Sequence, residues 1–71
     1  MADPTAQFAA NLRRIRTASG LTQEALSRRT KLDTGEISRL ERGVRDPQLR
    51  TVVRIARGLD VPVVELLADV G

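Results

Sequence analysis

Two short stretches of this chain repeat one device, and the repeat limits what its middle can become. Leu21 precedes Thr22 and is answered by Leu26; Leu32 precedes Asp33 and is answered by Ile37. In each, a helix-capping residue is flanked by an apolar residue just outside the helix and by another at the fourth helical position, the hydrophobic staple that fixes how a chain enters a helix. Starts eleven residues apart leave room for a helix of about two turns and a tight connection. The spacing therefore predicts helices at about 23–30 and 34–42, the second closed by Gly43, with three residues between them. Glu36, three residues after Asp33, extends the second start into an acidic variant of the capping box.

The flanks read as helices too. Asp3 followed by Pro4 is an N-cap acid with Pro at the first helical position, and Ser19-Gly20 is a helix end, where Gly takes the left-handed cap conformation. Between them Phe8, Leu12 and Ile15 form one buried stripe at i, i+4 and i+7. Val44 to Pro47 has no periodicity and reads as a loop before a helix at about 48–58, whose apolar set is Leu49, Val52, Ile55, Ala56 and Leu59. A short last helix covers about 62–68. No period-2 alternation bounded by turns and no internal repeat is present, so the expectation is an all-α fold of five helices in one domain spanning 1–71. A chain of 71 residues has no room for a second core.

Composition removes most chemistry. The chain contains no Cys and no His, which excludes disulfides, thiol nucleophiles, Cys/His metal sites and the usual imidazole base, so no metal, cofactor or catalytic residue is expected. No N-terminal apolar run resembles a signal peptide and none approaches the ~20 residues that span a bilayer, which makes the cytoplasm the default location. The net charge of +3 hides a polarised distribution. All twelve cations lie between Arg13 and Arg57 with only five acids among them, a balance of +7, while Asp3, Asp60, Glu65 and Asp69 lie outside. A basic centre suits a polyanion. Eleven of the twelve cations are Arg, a bias that favours forked contacts to phosphate or guanine but that a GC-rich genome also produces.

Two short helices joined by a tight turn also describe an ordinary αα-corner. Sequence detail separates the cases. Ala25 is read as sitting on the inner face of the first helix of the pair, where the second must cross closely, and Leu26, Leu32, Ile37 and Leu40 fill the wedge beneath. Left outward on the second helix are Thr34, Gly35, Glu36, Ser38, Arg39 and Arg42. A polar face with cations toward its end can enter a major groove.

Taken together, these residues resemble the phage-repressor and Cro type of helix-turn-helix, the Xre family. The pattern stands here as Leu12-Arg13-x-x-Arg16, Gly20-Leu21-Thr22-Gln23-Glu24-x-Leu26, Ile37-Ser38-x-Leu40-Glu41-x-Gly43, Pro47-x-Leu49-x-Thr51 and Ile55-Ala56-x-x-Leu59. The likeness runs from about Phe8 to Leu67. It implies a compact five-helix lambda-repressor-like domain with its helix-turn-helix at 23–42. It also implies sequence-specific binding of a palindromic DNA operator as a homodimer, and control of transcription. In size the chain is similar to the controller proteins of restriction-modification systems and to small phage and chromosomal regulators.

Carried over by position, the resemblance assigns base reading to Thr34, Gly35 and Arg39, with Ser38 beside them. Gly35 departs from the pattern, because a residue without a side chain offers only its backbone or close approach. That makes Arg39 the main reader. Gln23, at the first turn of its helix, lies where free N–H groups and the helix dipole favour a phosphate. Arg42, Arg45 and Arg50 surround the following loop and would meet the same backbone. Glu41 is an acid in the last turn of a helix, against the dipole, and the resemblance supplies an offsetting partner, Arg16. Lys31 stands in the turn where the family prefers Gly, and a left-handed backbone there costs a non-Gly residue about 1 kcal/mol.

One helix in one groove reads too few bases for selective binding, so a dimer is expected. Val61, Val63, Val64, Leu66, Leu67 and Val70 crowd a segment too short to bury them all. Val63 and Leu66 go to the core, and Val64, the outer edge of Leu67 and Val70 remain for a two-fold contact. Two other readings stay open. One is an antitoxin-like or other protein-interaction module on the same fold, against which the absence of a long tail after the last helix counts. The other is the DNA-reading domain of a longer regulator, where Met1 suggests a natural start and nothing verifies the end.

Overall fold

The computed structural model describes residues 3–71, which form five helices and their connections with no strand among them. In chain order they are α1 (Pro4–Ala18), α2 (Gln23–Thr30), α3 (Thr34–Glu41), α4 (Leu49–Leu59) and α5 (Val63–Leu66). Met1 and Ala2, the first residues of the expected domain, lie outside the described residues. No described helix is long and apolar enough to cross a membrane.

α1 packs on α3 and α5, while α2 packs on α3 and α4, so every helix turns its apolar side to one cluster. That cluster holds Phe8, Leu12 and Ile15 of α1, Leu26 of α2, Ile37 and Leu40 of α3, Val52, Ile55 and Leu59 of α4, and Leu66 of α5. Both staples close on it. Leu26 and Ile37 are fully buried, and Leu21 and Leu32 pack against the cluster from outside. Each such aliphatic side chain contributes about 1.5–3 kcal/mol of burial.

The helix ends show which local signals were obeyed. Gly20 follows α1 at φ 73°, and Leu21 N–H reaches back to the Arg16 carbonyl at 3.2 Å, a Schellman closure. Gly43 closes α3 the same way, with Val44 N–H donating to Arg39 O at 3.2 Å. Lys31 adopts the left-handed conformation at φ 60°, so the turn of the helix pair is built on a non-Gly residue. Ser27 Oγ donates to Leu32 O at 2.5 Å and Thr30 Oγ1 accepts from Leu32 N at 3.2 Å, two side-chain bonds that hold this turn. The Thr22 hydroxyl caps α2 by accepting from Ala25 N at 3.0 Å.

Other local expectations fail. Asp3 and Asp33 occupy N-cap positions but neither side chain makes the cap hydrogen bond, and the acidic capping box does not form. Glu36 turns instead to two guanidinium groups, charge-assisted partners that outweigh a backbone N–H. α4 begins and ends one residue later than its periodicity suggests, and its left-handed cap is Asp60 at φ 58°. Gly58 therefore lies inside the helix. A Cβ there would stand 2.6 Å from Thr30 Cγ2, so this glycine permits the close crossing of α2 over α4. Ala25, expected at a tight crossing, is only half-buried. Leu49 was expected in the core and is instead 74 % exposed. It occupies the first turn of α4, at the edge of an open groove rather than in the stripe that buries Val52, Ile55, Ala56 and Leu59. α5 is one turn long and is followed by a turn rather than reaching 68.

Asn11 is the buried polar residue the stripe in α1 concealed. Its Nδ2 donates to the carbonyls of Leu66 at 2.9 Å and Ala68 at 2.8 Å, and its Oδ1 accepts from Gln7 Nε2 at 3.0 Å. Carbonyls at and just beyond the C-terminal end of the short α5 are thereby satisfied and tied to α1.

Candidate nucleic-acid interface

The recognition-helix candidate α3 is anchored at its C-terminal end. Arg16 reaches from α1 to Glu41 as a fork, Nε to Oε2 at 2.5 Å and Nη2 to Oε1 at 3.0 Å. Its Nη1 donates to the Leu21 carbonyl at 2.7 Å. Gln23 of α2 adds Nε2 to Glu41 Oε1 at 3.1 Å. Two helices, α1 and α2, thus converge on one carboxylate of α3, and the ion pair is withdrawn from water, with side chains 12 % and 4 % exposed. The hydrogen bond from Arg16 to Glu41 raises the guanidinium pKa above its ordinary value, against the opposing effect of burial. This network also resolves the misplaced acid, since charge-assisted bonds outweigh the small penalty of Glu41 at the negative helix end.

From that anchor α3 projects its other side outward. Thr34, Gly35, Ser38 and Arg39, the four expected base readers, are all half-buried on this side. The Arg39 side chain is 41 % exposed and folds back along its own helix. A Cβ on Gly35 would lie 3.3 Å from Arg39 Nη1, tighter than ordinary contact, so the missing side chain leaves the guanidinium room to lie against the helix. Arg39 Nη2 lies 3.5 Å from Glu36 Oε1, while its Nε is buried and finds no acceptor among the described residues. Arg45 Nη1, from the loop after α3, meets the same Glu36 oxygen at 3.1 Å.

The expected phosphate contacts divide. Arg42 is exposed, its Nε turned to Ser38 O at 3.4 Å, and Arg45 and Arg50 are exposed as well. Gln23 is different: Glu41 already holds one of its amide hydrogens, which fixes the side chain at the start of α2 and leaves a second donor. In the sequence Glu36 reads as a cap and a member of the polar face, with no contact role. Its signal in the sequence was the pairing of an acid with Arg39 three residues on; the loop that brings Arg45 to it had no such signal.

The C-terminal surface differs from expectation in two residues. Val64 is 70 % exposed and Leu67 is partly exposed, as a contact surface requires. Val70 packs against the core cluster and is only half-exposed. Leu49 is exposed beside it and lines an open apolar groove with Phe8, Val52, Leu67, Val70 and Pro47.

Comparison with known proteins agrees with this architecture. The helix-turn-helix family model HTH_3 matches residues 12–66. The uncharacterized HTH-type transcriptional regulator y4dL of Sinorhizobium fredii is 39 % identical over 64 residues, which are 90 % of this chain and 33 % of that protein. The chain thus spans about a third of y4dL. The restriction-modification controller protein C.AhdI from Aeromonas hydrophila superposes with a TM-score of 0.85 at 37 % identity, covering 87 % of this chain and 94 % of that one. C.Esp1396I, a controller protein crystallised as a tetramer with its natural 35 base-pair operator, gives 0.86 at 28 % identity over 96 % and 90 %. The chain belongs to the HTH_3 helix-turn-helix family, and its structure is similar to those of small transcriptional controllers.

Proposed function

We propose that this protein is a non-catalytic transcriptional regulator that binds a palindromic DNA operator as a homodimer, with residues 34–42 in the major groove. The observation that carries the reading is the anchored helix. A buried Arg16–Glu41 fork fixes α3 at one end, and a polar face containing a half-exposed arginine is presented at the other. Arg39 forks onto guanine O6 and N7, the commonest specific contact. Thr34, Ser38 and the Gly35 backbone line the same base edges. Gln23, Arg42, Arg45 and Arg50 hold phosphates on either side. Val64 and Leu67, with Leu49 and the exposed edge of Val70, form the two-fold contact, which spaces two reading helices about one DNA turn apart. A regulator of this kind works where the DNA is, in the cytoplasm. The same domain within a longer chain would read DNA in the same way, as the length of y4dL illustrates.

A footprint and salt titration on the DNA upstream of the protein's own gene tests this reading. Protection of two half-sites about one turn apart is expected, with Arg39→Ala losing contrast at one base position per half-site. Absence of any duplex binding at low ionic strength would overturn it. So would sedimentation as a monomer at high concentration with operator present, for the dimer.

A further inference from the structure

We propose that Glu36 is a specificity-determining residue: its carboxylate braces Arg39 and Arg45 in the free domain, disfavours ordinary phosphate backbone, and accepts the N4 amino group of a cytosine beside the guanine that Arg39 reads. The inference rests on the reading of α3 as the helix that enters the groove.

Glu36 stands in the first turn of α3 on the side that faces outward, and its side chain is 21 % exposed. An acid there faces the most negative surface a regulator meets. If the face served only to hold phosphates, a carboxylate would be the least suitable group for it. It is also not spent on the fold, since Asp33 and Glu36 form no capping box and the anchor of α3 uses Glu41. What Glu36 does touch are two arginines of the reading surface, Arg39 Nη2 at 3.5 Å and Arg45 Nη1 at 3.1 Å, both on one oxygen, Oε1. Oε1 accepts the hydrogen bond from Arg39, and a carboxylate has lone pairs beyond the one that bond uses, so acceptor capacity remains beside the reading arginine.

Two consequences follow from charge and geometry. On non-cognate DNA, Arg45 must leave Glu36 to reach a phosphate, and the carboxylate then faces the backbone with only the longer Arg39 contact to offset its charge, so sliding contacts are weakened. On the cognate site the carboxylate has a use, because cytosine is the base whose major-groove edge presents a donor without an adjacent acceptor, and acidic side chains accept from it. Glu36 and Arg39 are three residues apart, one turn of helix, with Arg39 folded back over Gly35 toward Glu36. Their polar ends therefore fall on neighbouring base pairs, a guanine for the guanidinium and a cytosine for the carboxylate.

Selection from a randomised duplex pool, followed by sequencing of the bound fraction, tests the assignment on wild type and Glu36→Gln. Anisotropy titrations on a duplex lacking the selected site, over a range of salt, run beside it. Thermal melts confirm that the variant is folded. Wild type should enrich a guanine with a cytosine at the neighbouring pair. Glu36→Gln should keep the guanine but exchange cytosine for adenine, whose N6 and N7 match an amide, with the cytosine preference falling on the order of tenfold. Its affinity for the site-free duplex should rise about tenfold, with the salt slope steeper by about one unit. Identical enriched bases and identical site-free affinity in wild type and Glu36→Gln would overturn the role of Glu36 and leave the operator reading standing. A wild type that enriches no sequence would overturn both.

Discussion

Helix α3 carries two arginine–glutamate sites, and they are opposites. At its C-terminal end Arg16 and Glu41 form a fork that is almost fully withdrawn from water and shared with Gln23 and a backbone carbonyl. At its N-terminal end Glu36 meets Arg39 and Arg45 through single contacts, with the arginines 41 % and 51 % exposed. The chemistry is the same and the solvent is not. A buried ion pair is costly to break because one partner is left charged and unhydrated, whereas an exposed pair exchanges its partner for water or another ion at little cost. One site holds the helix; the other can exchange its arginines for water or another anion.

The largest expected effect tests the first half of that contrast. Glu41→Ala should lower unfolding free energy by about 3 kcal/mol in urea titration, and Arg16→Ala by a similar amount, with strong coupling in the double-mutant cycle. An unchanged denaturation midpoint in Glu41→Ala would end the clamp idea. The pH dependence has a definite sign. A base whose pKa is raised by folding contributes its full stabilisation below its unfolded value and loses it as pH rises from there through the folded one. Since Arg16 is raised from an already high value, the deficit of Arg16→Ala should not shrink as pH rises from neutral to mildly alkaline.

The second half predicts the reverse pattern. Arg39→Ala should cost about 1–3 kcal/mol of operator discrimination while shifting stability by less than about 0.5 kcal/mol. A large stability loss instead would mean that Arg39 belongs to the scaffold. Arg45→Ala should weaken all duplexes alike and make the salt slope shallower by about one unit, with its pair to Glu36 contributing under about 1 kcal/mol to folding. Smallest is Lys31→Gly. Relief of a left-handed side chain is worth about 1 kcal/mol and is offset in part by glycine's extra freedom in the unfolded chain, so thermal melting should stay level or rise slightly. Clear destabilisation would show that the lysine side chain has its own role in the turn.

The helices were legible because their signals are local. Staples, caps and stripes are written within a few residues of where they act, so α1 to α4 fall within a residue or two of their expected ends. Thr22 caps as expected, and Gly20 and Gly43 close their helices. What could not be read depends on neighbours distant in sequence. Leu49 fits the periodicity of α4 yet is left exposed at the edge of an open groove, and Gly58 looks like a helix stop but is a crossing point for α2. Asn11 sits in an apolar stripe because its partners lie 55 and 57 residues away. At the candidate site, the polar face of α3 was visible as a pattern. The engagement of Glu36 by Arg45, and of Gln23 by Glu41, depends on where loop and helix ends come to rest.

The sequence by itself determined that this chain is helical, where its helices start, and that a basic, polar surface lies on the second helix of a tight pair, because periodicity and capping act through the backbone within one or two turns. The resemblance already paired Glu41 with Arg16; only the tertiary structure decided that Glu36 stands between the exposed Arg39 and Arg45. Glu36 and Glu41 are chemically identical and five residues apart. What separates them is the packing of α1 against α3, which seals one from water and leaves the other at the surface.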